Sequence, residues 1–188
     1  MPIYHTLGSI PAKRHTVFRK PDGSLYAEEL VSTEGFSSMY SLVYHTHPPT
    51  IVKSIGEPYS VEPVIAREKH LRHTSLLGFN IQPEDDFLQS RKPVLVNADL
   101  QISLAAPKKS MTDYFYKNSQ ADEIIFIHKG SGTLHTGFGK IHFEYGDYVV
   151  VPRGTIYQIE FKDEHNRLFI IESYSPIRFP KQIGRAHV

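Results

Sequence analysis

Two stretches of the chain carry the spacing by which the strands of a β-barrel can aim metal donors at one point. Most of the donor positions, however, hold other residue types. The first frame requires His-x-His, four residues, Glu and a later Gly. Glu123 takes the carboxylate place with Gly130 and Gly132 behind it, while Tyr116 and Asn118 stand at the two imidazole places. The second frame requires Gly, five residues, Pro-x-Gly, two residues and His. Gly146, Pro152 and Gly154 fit, and Tyr157 stands where the His belongs. Two or three imidazoles with a carboxylate suit Fe(II), which takes nitrogen and oxygen donors and needs open positions for O2 and substrate. Three of the four donor places lack their ligand, and neither a phenol nor an amide replaces imidazole on iron here. The expectation is a barrel that retains the turn residues of such a site and holds no metal. Glu123 is then expected to bond a neighbouring Arg or a backbone N–H.

The remaining histidines are weaker candidates. His45-Thr46-His47 would put two imidazoles on one side of a strand. No acidic residue follows before Glu57, and Pro48-Pro49 ends the segment, so a polar strand-to-loop transition is the expected role. His128, His135 and His142 are evenly spaced but fall on different strands or strand ends, as pairing-face histidines would. His70 and His73 sit beside Lys69 and Arg72 and read as a solvated basic segment. No Gly-x-Ser-x-Gly elbow and no cysteine nucleophile is present. Gly130-Ser131-Gly132 lacks the Gly-Lys-Ser/Thr that would make it a phosphate loop.

The elements that must position these residues are short strands. Leu100, Ile102 and Leu104 alternate with polar or small neighbours, as in a half-buried strand. An apolar run from Glu123 to His128 ends at Lys129-Gly130-Ser131-Gly132, which has the composition of a hairpin turn. Strands are also expected over Thr133 to Thr136, Lys140 to Glu144, Tyr148 to Val151, Tyr157 to Phe161 and Arg167 to Ser173. Further upstream, Pro21-Asp22-Gly23 is a turn: Pro presets φ, Asp bonds back to the backbone and Gly accepts positive φ. Tyr40 to Tyr44 reads as a strand and Gly78 to Ile81 as a short one inside an irregular, proline-broken stretch from Thr50 to Gln89. Many short strands at this spacing predict an all-β sandwich or barrel, and a jelly-roll of the cupin type is the obvious candidate.

Composition agrees. The 188 residues suffice for about one domain, and the 11 Tyr, 11 Phe, 12 Gly and 13 Pro suit strands and tight turns. The absence of cysteine excludes a disulfide framework and Cys-based zinc or iron–sulfur chemistry, and fits a cytoplasmic setting. A formal net charge of +1 with scattered basic residues gives no footprint for non-specific nucleic-acid binding. Met1 to Ile10 lacks the pattern of a secretion signal, and no apolar stretch is long enough for a membrane helix. The tail Gln182-Ile183-Gly184-Arg185-Ala186-His187-Val188 is what one reading frame of a widely used short-read sequencing adapter encodes. It is expected to be foreign, with the native protein continuing past Lys181.

Longer strings carry a resemblance. Pro2-Ile3-Tyr4-His5, the run from Lys13 to Tyr26, Thr33-Glu34-Gly35-Phe36-Ser37 and the run from Asp122 to Gly132 look like a bacterial homogentisate 1,2-dioxygenase. Glu144 to Tyr148, Pro152 to Ile159 and Glu172 to Ile177 complete the match, which spans Pro2 to Lys181. That family consists of bicupin enzymes that open the ring of homogentisate with O2 to give maleylacetoacetate, in tyrosine and phenylalanine breakdown. The resemblance implies Fe(II) held by two His and one Glu in the C-terminal half, and an N-terminal, metal-free barrel that supports it and contributes to homo-oligomer contacts. It places this chain in the N-terminal half, so no iron ligand, catalytic residue or cofactor-binding residue is assigned here. The expected organisation is N-terminal strands and an irregular segment over 1–96, a cupin core over 97–181 and the adapter-like tail over 182–188. A stand-alone metal-free cupin binding a small aromatic or sugar, or an oligomerisation scaffold, remain the alternative readings.

Overall fold

The computed structural model describes residues 17–32, 34–36, 40–48, 51–66 and 72–178. His70 and the tail over 182–188 lie outside the described residues. Two compact units divide between Glu62 and Pro63.

The first unit contains one antiparallel hairpin of β1 (Ala27–Ser32) and β2 (Tyr40–His45), with Ala27 opposite His45 and Ser32 opposite Tyr40. The expected turn at Pro21-Asp22-Gly23 forms ahead of it. Gly23 takes φ +83° and donates its N–H to the Lys20 carbonyl at 2.9 Å. The Asp22 carboxylate accepts the Ser24 N–H at 2.9 Å. No strand or helix forms over 51–66, where Ile55 and Val64 are fully or nearly fully exposed.

The second unit is a two-sheet antiparallel barrel of the jelly-roll, cupin type. Its strands are β3 (Lys92–Val96), β4 (Leu100–Ala105), β5 (Tyr116–Lys117), β6 (Asp122–Lys129), β7 (Gly132–Thr136), β8 (Gly139–Phe143), β9 (Tyr148–Val151), β10 (Ile156–Phe161) and β11 (Arg167–Ser173). One sheet runs β5-β10-β7-β8 and the other β3-β4-β11-β6-β9. From β5 onward the chain changes sheet at every connection except the β7–β8 hairpin. Facing residues of the two sheets, among them Ile125, Ile127, Leu134, Phe143, Ile159 and Ile170, make the core. The packing is close. The void among Ile125, Ile127, Leu134, Phe143, Val149, Ile159, Phe161 and Leu168 measures about 10 Å³, about the room one water needs.

Four expectations are corrected. Gly78–Asn80 is a single 3-10 turn rather than a strand, and among the described residues it is the one helical element. No described helix is long and apolar enough to cross a membrane. Lys129 to Gly132 is not a hairpin. β6 pairs with β9 and β11 while β7 pairs with β8 and β10, so these residues carry the chain from one sheet to the other. A Gly-rich turn looks the same in sequence whether its strands pair or part. The expected boundary at 96/97 cuts a sheet, because β3 pairs with β4. Pro93 hid this strand. A proline lacks the N–H for a central ladder but is tolerated on an edge, which is where β3 lies. Finally, β4 is half-buried as expected, but Ser103 and Ala105 are its fully buried positions while Ile102 and Leu104 stay partly exposed.

That last reversal extends across the sheet. Val150, Ile124, Ile171, Ile102 and Leu95 align in register across the five strands, on the outer face. Tyr148, Phe126, Phe169 and Leu104 form a second such row, with the Phe126 and Tyr148 rings 4.6 Å apart. Tyr148, Val150 and Leu95 are exposed and the rest half-buried. The sheet therefore carries apolar side chains on both faces.

The corner between β6 and β7 leaves no room for side chains. A Cβ at Gly132 would lie 2.3 Å from the Glu160 carbonyl oxygen and 2.6 Å from Phe143. Gly132→Ala is expected to lower unfolding stability by about 1–3 kcal/mol in urea titration. Gly137→Ala, where nothing lies within 4 Å, is expected to change it by no more than about 0.5 kcal/mol. Equal effects would show that the corner is looser than described.

Candidate functional site

The four donor positions of the two frames do meet at one end of the barrel. β5 and β10 pair so that Tyr116 lies opposite Tyr157, and their rings meet edge to face with centroids 5.5 Å apart. Glu123, on β6, is fully buried and lies opposite Glu172 on β11. Gln101 on β4 lies opposite Glu172 on its other side. Two carboxylates on neighbouring strands of one face repel each other, and burial strengthens the repulsion. Something cationic must lie between them.

That cation is the guanidinium of Arg91, the residue before β3. One terminal nitrogen donates to Glu123 Oε1 at 2.6 Å and to the Tyr157 hydroxyl at 3.3 Å. The other lies 3.6 Å from Glu172 Oε1. The Tyr157 hydroxyl donates to Glu123 Oε2 at 2.8 Å, so both carboxylate oxygens of Glu123 are engaged. Asn118 Nδ2 and Gln101 Nε2 donate to the two oxygens of Glu172 at 2.8 and 2.9 Å. Aromatic rings enclose the fork. The guanidinium carbon sits 4.3 Å from the Phe87 ring centre and 5.5 Å from that of Tyr116, within cation–π range.

Electrostatics follow from the burial. Desolvation works against the charged guanidinium, and the carboxylates of Glu123 and Glu172 together with the Tyr157 oxygen outweigh it, so the pKa of Arg91 is raised. Burial also pushes the Tyr157 hydroxyl well above the usual phenol range; Arg91 pulls the other way and Glu123 adds to the rise. Tyr157 thus stays a neutral donor to Glu123.

These residues do not fit a bound metal ion. The Asn118 side-chain oxygen accepts the backbone N–H groups of Gln120 and Ala121, both at 3.0 Å, and so is directed into the β5–β6 loop. The Tyr157 oxygen is protonated and committed, and a fixed positive charge already lies against Glu123. Among the described residues no group of three or more His, Asp or Glu side chains is gathered for a metal. The partner expected for Glu123, a neighbouring Arg or a backbone N–H, is Arg91.

The turn residues of the frames have backbone duties. Gly146 (φ +92°) donates to the Ile127 carbonyl at 2.8 Å and Gly154 (φ +81°) to the Asn118 carbonyl at 2.7 Å. Beside them the Asp122 carboxylate accepts the Arg153 N–H at 2.9 Å and the Ile177 N–H at 2.8 Å, which fixes the chain as it leaves β11.

The other histidines stay apart. His45 Nε2 meets Glu29 Oε2 across the β1–β2 hairpin at 2.7 Å, and His47 lies beyond the strand, exposed. His128 meets Phe79 and Phe126 edge to face, His135 bonds Glu160 at 2.9 Å and His142 bonds Thr133 at 3.0 Å. His73 is exposed, in line with its expected role. An open hollow of about 600 Å³ lies at the opposite end of β6, lined by Lys129, Glu144, Tyr145, Asp163 and His165 among others. It mixes charges of both signs and holds none of the residues of the two frames. Arg91 is the site residue that motif reading missed. It lies outside both frames, and the string Arg91-Lys92-Pro93 carries no cue that one of its two basic residues is buried.

Comparison with known proteins places this barrel. The family profile described as homogentisate 1,2-dioxygenase N-terminal matches residues 80–184. A Saccharolobus solfataricus protein with a provisional dioxygenase name is 39% identical over 181 residues, covering 96% of this chain and 46% of that one. The homogentisate 1,2-dioxygenase of Legionella pneumophila is 29% identical over 169 residues, covering 85% of this chain and 40% of that one. A crystal structure of a cupin-2 domain protein from Shewanella frigidimarina aligns at TM-score 0.40 and 19% identity, covering 45% of this chain and 79% of that one. The chain spans less than half the length of either dioxygenase relative.

The site generates a pH prediction. The folded-state pKa of Tyr157 is raised above its unfolded value, so its contribution is complete below the unfolded value of about 10 and is lost as pH rises toward the folded one. Tyr157→Phe is expected to cost about 1–3 kcal/mol at neutral pH, because it leaves a buried carboxylate oxygen without its donor. The variant should also lose less further stability than the parent between pH 9 and about 11. Urea unfolding at several pH values checks this, and parallel curves would remove Tyr157 from the balance.

Proposed function

From the premise that the chain belongs to the homogentisate 1,2-dioxygenase family, through its N-terminal domain, we propose that it is the metal-free N-terminal half of an Fe(II)-dependent ring-cleaving dioxygenase. The whole protein would open homogentisate with O2 to maleylacetoacetate, and its iron would be held by two His and one Glu of the other half. The observation that carries the reading is the pairing of a family match with a motif site already filled by Arg91. A barrel that belongs to an oxygenase family yet presents no open coordination position supports its neighbour instead of doing the chemistry.

Two further features support this. The outer face of the five-stranded sheet carries two rows of apolar side chains, a surface suited to a packed partner domain. The void in the apolar core of the barrel holds about 10 Å³, too little for an aromatic or sugar ligand. Assembly into a homo-oligomer, a cytoplasmic setting and the absence of nucleic-acid or membrane partners belong to the same proposal.

The test is oxygen uptake. The chain alone, supplied with Fe(II) and homogentisate, is expected to consume no O2 above the buffer rate. Sequencing of the source DNA past the codon for Lys181 is expected to reveal a second barrel with a His, His, Glu set, and the longer protein is expected to consume O2 and homogentisate one to one. O2 consumption by the chain alone, or a continuation without those ligands, overturns the reading.

A further inference from the structure

Four side chains that occupy metal-donor places in the two frames surround one planar cation. Glu123 and Tyr157 bond the Arg91 guanidinium directly, Tyr116 lies against it, and Asn118 reaches it through Glu172. We propose that this guanidinium is the resident cation of the barrel, seated where the frames would otherwise focus a metal ion, and that the seat itself is a binding site for a planar guanidinium group.

Three observations select a guanidinium over other cations. The paired carboxylates approach different terminal nitrogens, Glu123 at 2.6 Å on one and Glu172 at 3.6 Å on the other, a fork that a point charge does not need. Aromatic faces of Phe87 and Tyr116 flank the group, and a flat, weakly hydrated cation tolerates that contact far better than a hydrated metal ion or an ammonium. The Arg91 Nε is buried without a hydrogen-bond partner. The seat therefore recognises the terminal nitrogens and the flat face, while the stem serves as a tether. A tethered cation needs no metal supply, so the barrel can close before and apart from any metal loading. The inference concerns this chain's own residues and stands apart from the activity proposed for the whole protein.

Chemical rescue tests it. In the 188-residue chain, Arg91→Ala leaves the two carboxylates facing each other and is expected to melt roughly 10 °C below the parent. Ethylguanidinium chloride at low millimolar concentration should restore most of that loss, saturably. Ethylammonium chloride at equal ionic strength should not, and neither salt should shift the parent. Arg91→Ala with Glu123→Gln should lose the selective rescue. If Arg91→Ala is not recovered folded, refolding from urea with each salt gives the same comparison as yield, and Arg91→Lys should fold less stably than the parent. Metal analysis of the parent chain should find no stoichiometric ion. Equal rescue by ethylammonium, rescue by a divalent metal ion in place of ethylguanidinium, no rescue in either format, or one tightly bound metal per parent chain would each overturn the proposal.

Discussion

The barrel closes around an electrostatic constraint. Glu123 and Glu172 are opposed on adjacent central strands with their side chains toward the interior, and no register shift separates them. Left alone they would push β6 and β11 apart at the end where the two sheets come together. The Arg91 guanidinium between them turns that repulsion into the tie that draws together elements far apart in sequence: the segment before β3, the β6 and β11 strands of one sheet and, through Tyr157, β10 of the other. Buried ion pairs of this kind add little net stability over an apolar packing, but removal of one partner is costly because it strands the other charge. The cluster therefore acts more as a specification of how the sheets meet than as a store of stability.

How much of this was legible depends on which physical signal each element carries. Strand alternation and turn residues place β6 through β11 nearly where they occur, because one face of each strand packs against the facing sheet and the breaks fall at Gly and Pro. The convergence of Tyr116, Asn118, Glu123 and Tyr157 was legible too, since spacing on paired strands fixes which side chains point to the same place. Two things were not. Pairing at Lys129 to Gly132 depends on where the next strand goes, and a local turn carries no record of that. Arg91 depends on a contact across 32 residues of sequence, and the basic pair Arg91-Lys92 ahead of Pro93 gives no local cue that one of the two will be buried.

The outer face of the five-stranded sheet resists a purely local reading for a related reason. Alternation in β4 announces a half-buried strand but not which side faces in. The buried side of β4 is held by its small residues, Ser103 and Ala105, beside the buried Ile170 and Leu168 of β11. Ile102 and Leu104 are thereby turned outward, in line with Ile171, Phe169, Ile124 and Phe126. A sheet with apolar side chains on both faces has the side-chain pattern of a middle layer.

The same logic separates the two roles that a metal-site motif combines. Gly146 and Gly154 hold positive φ and donate backbone hydrogen bonds that shape the barrel end, whatever lies inside it. Tyr116, Asn118, Glu123 and Tyr157 act on whatever occupies the centre. Once the centre is a tethered guanidinium, the requirements change from lone pairs arranged about a sphere to acceptors at the rim of a plane and rings against its faces. Glu123 meets the first requirement and Tyr116 the second. Tyr157 bridges the two, since its hydroxyl serves the carboxylate while its ring packs against Tyr116 and Phe87. Residues that look like failed ligands when judged against a metal are therefore the complementary set for the cation that is present.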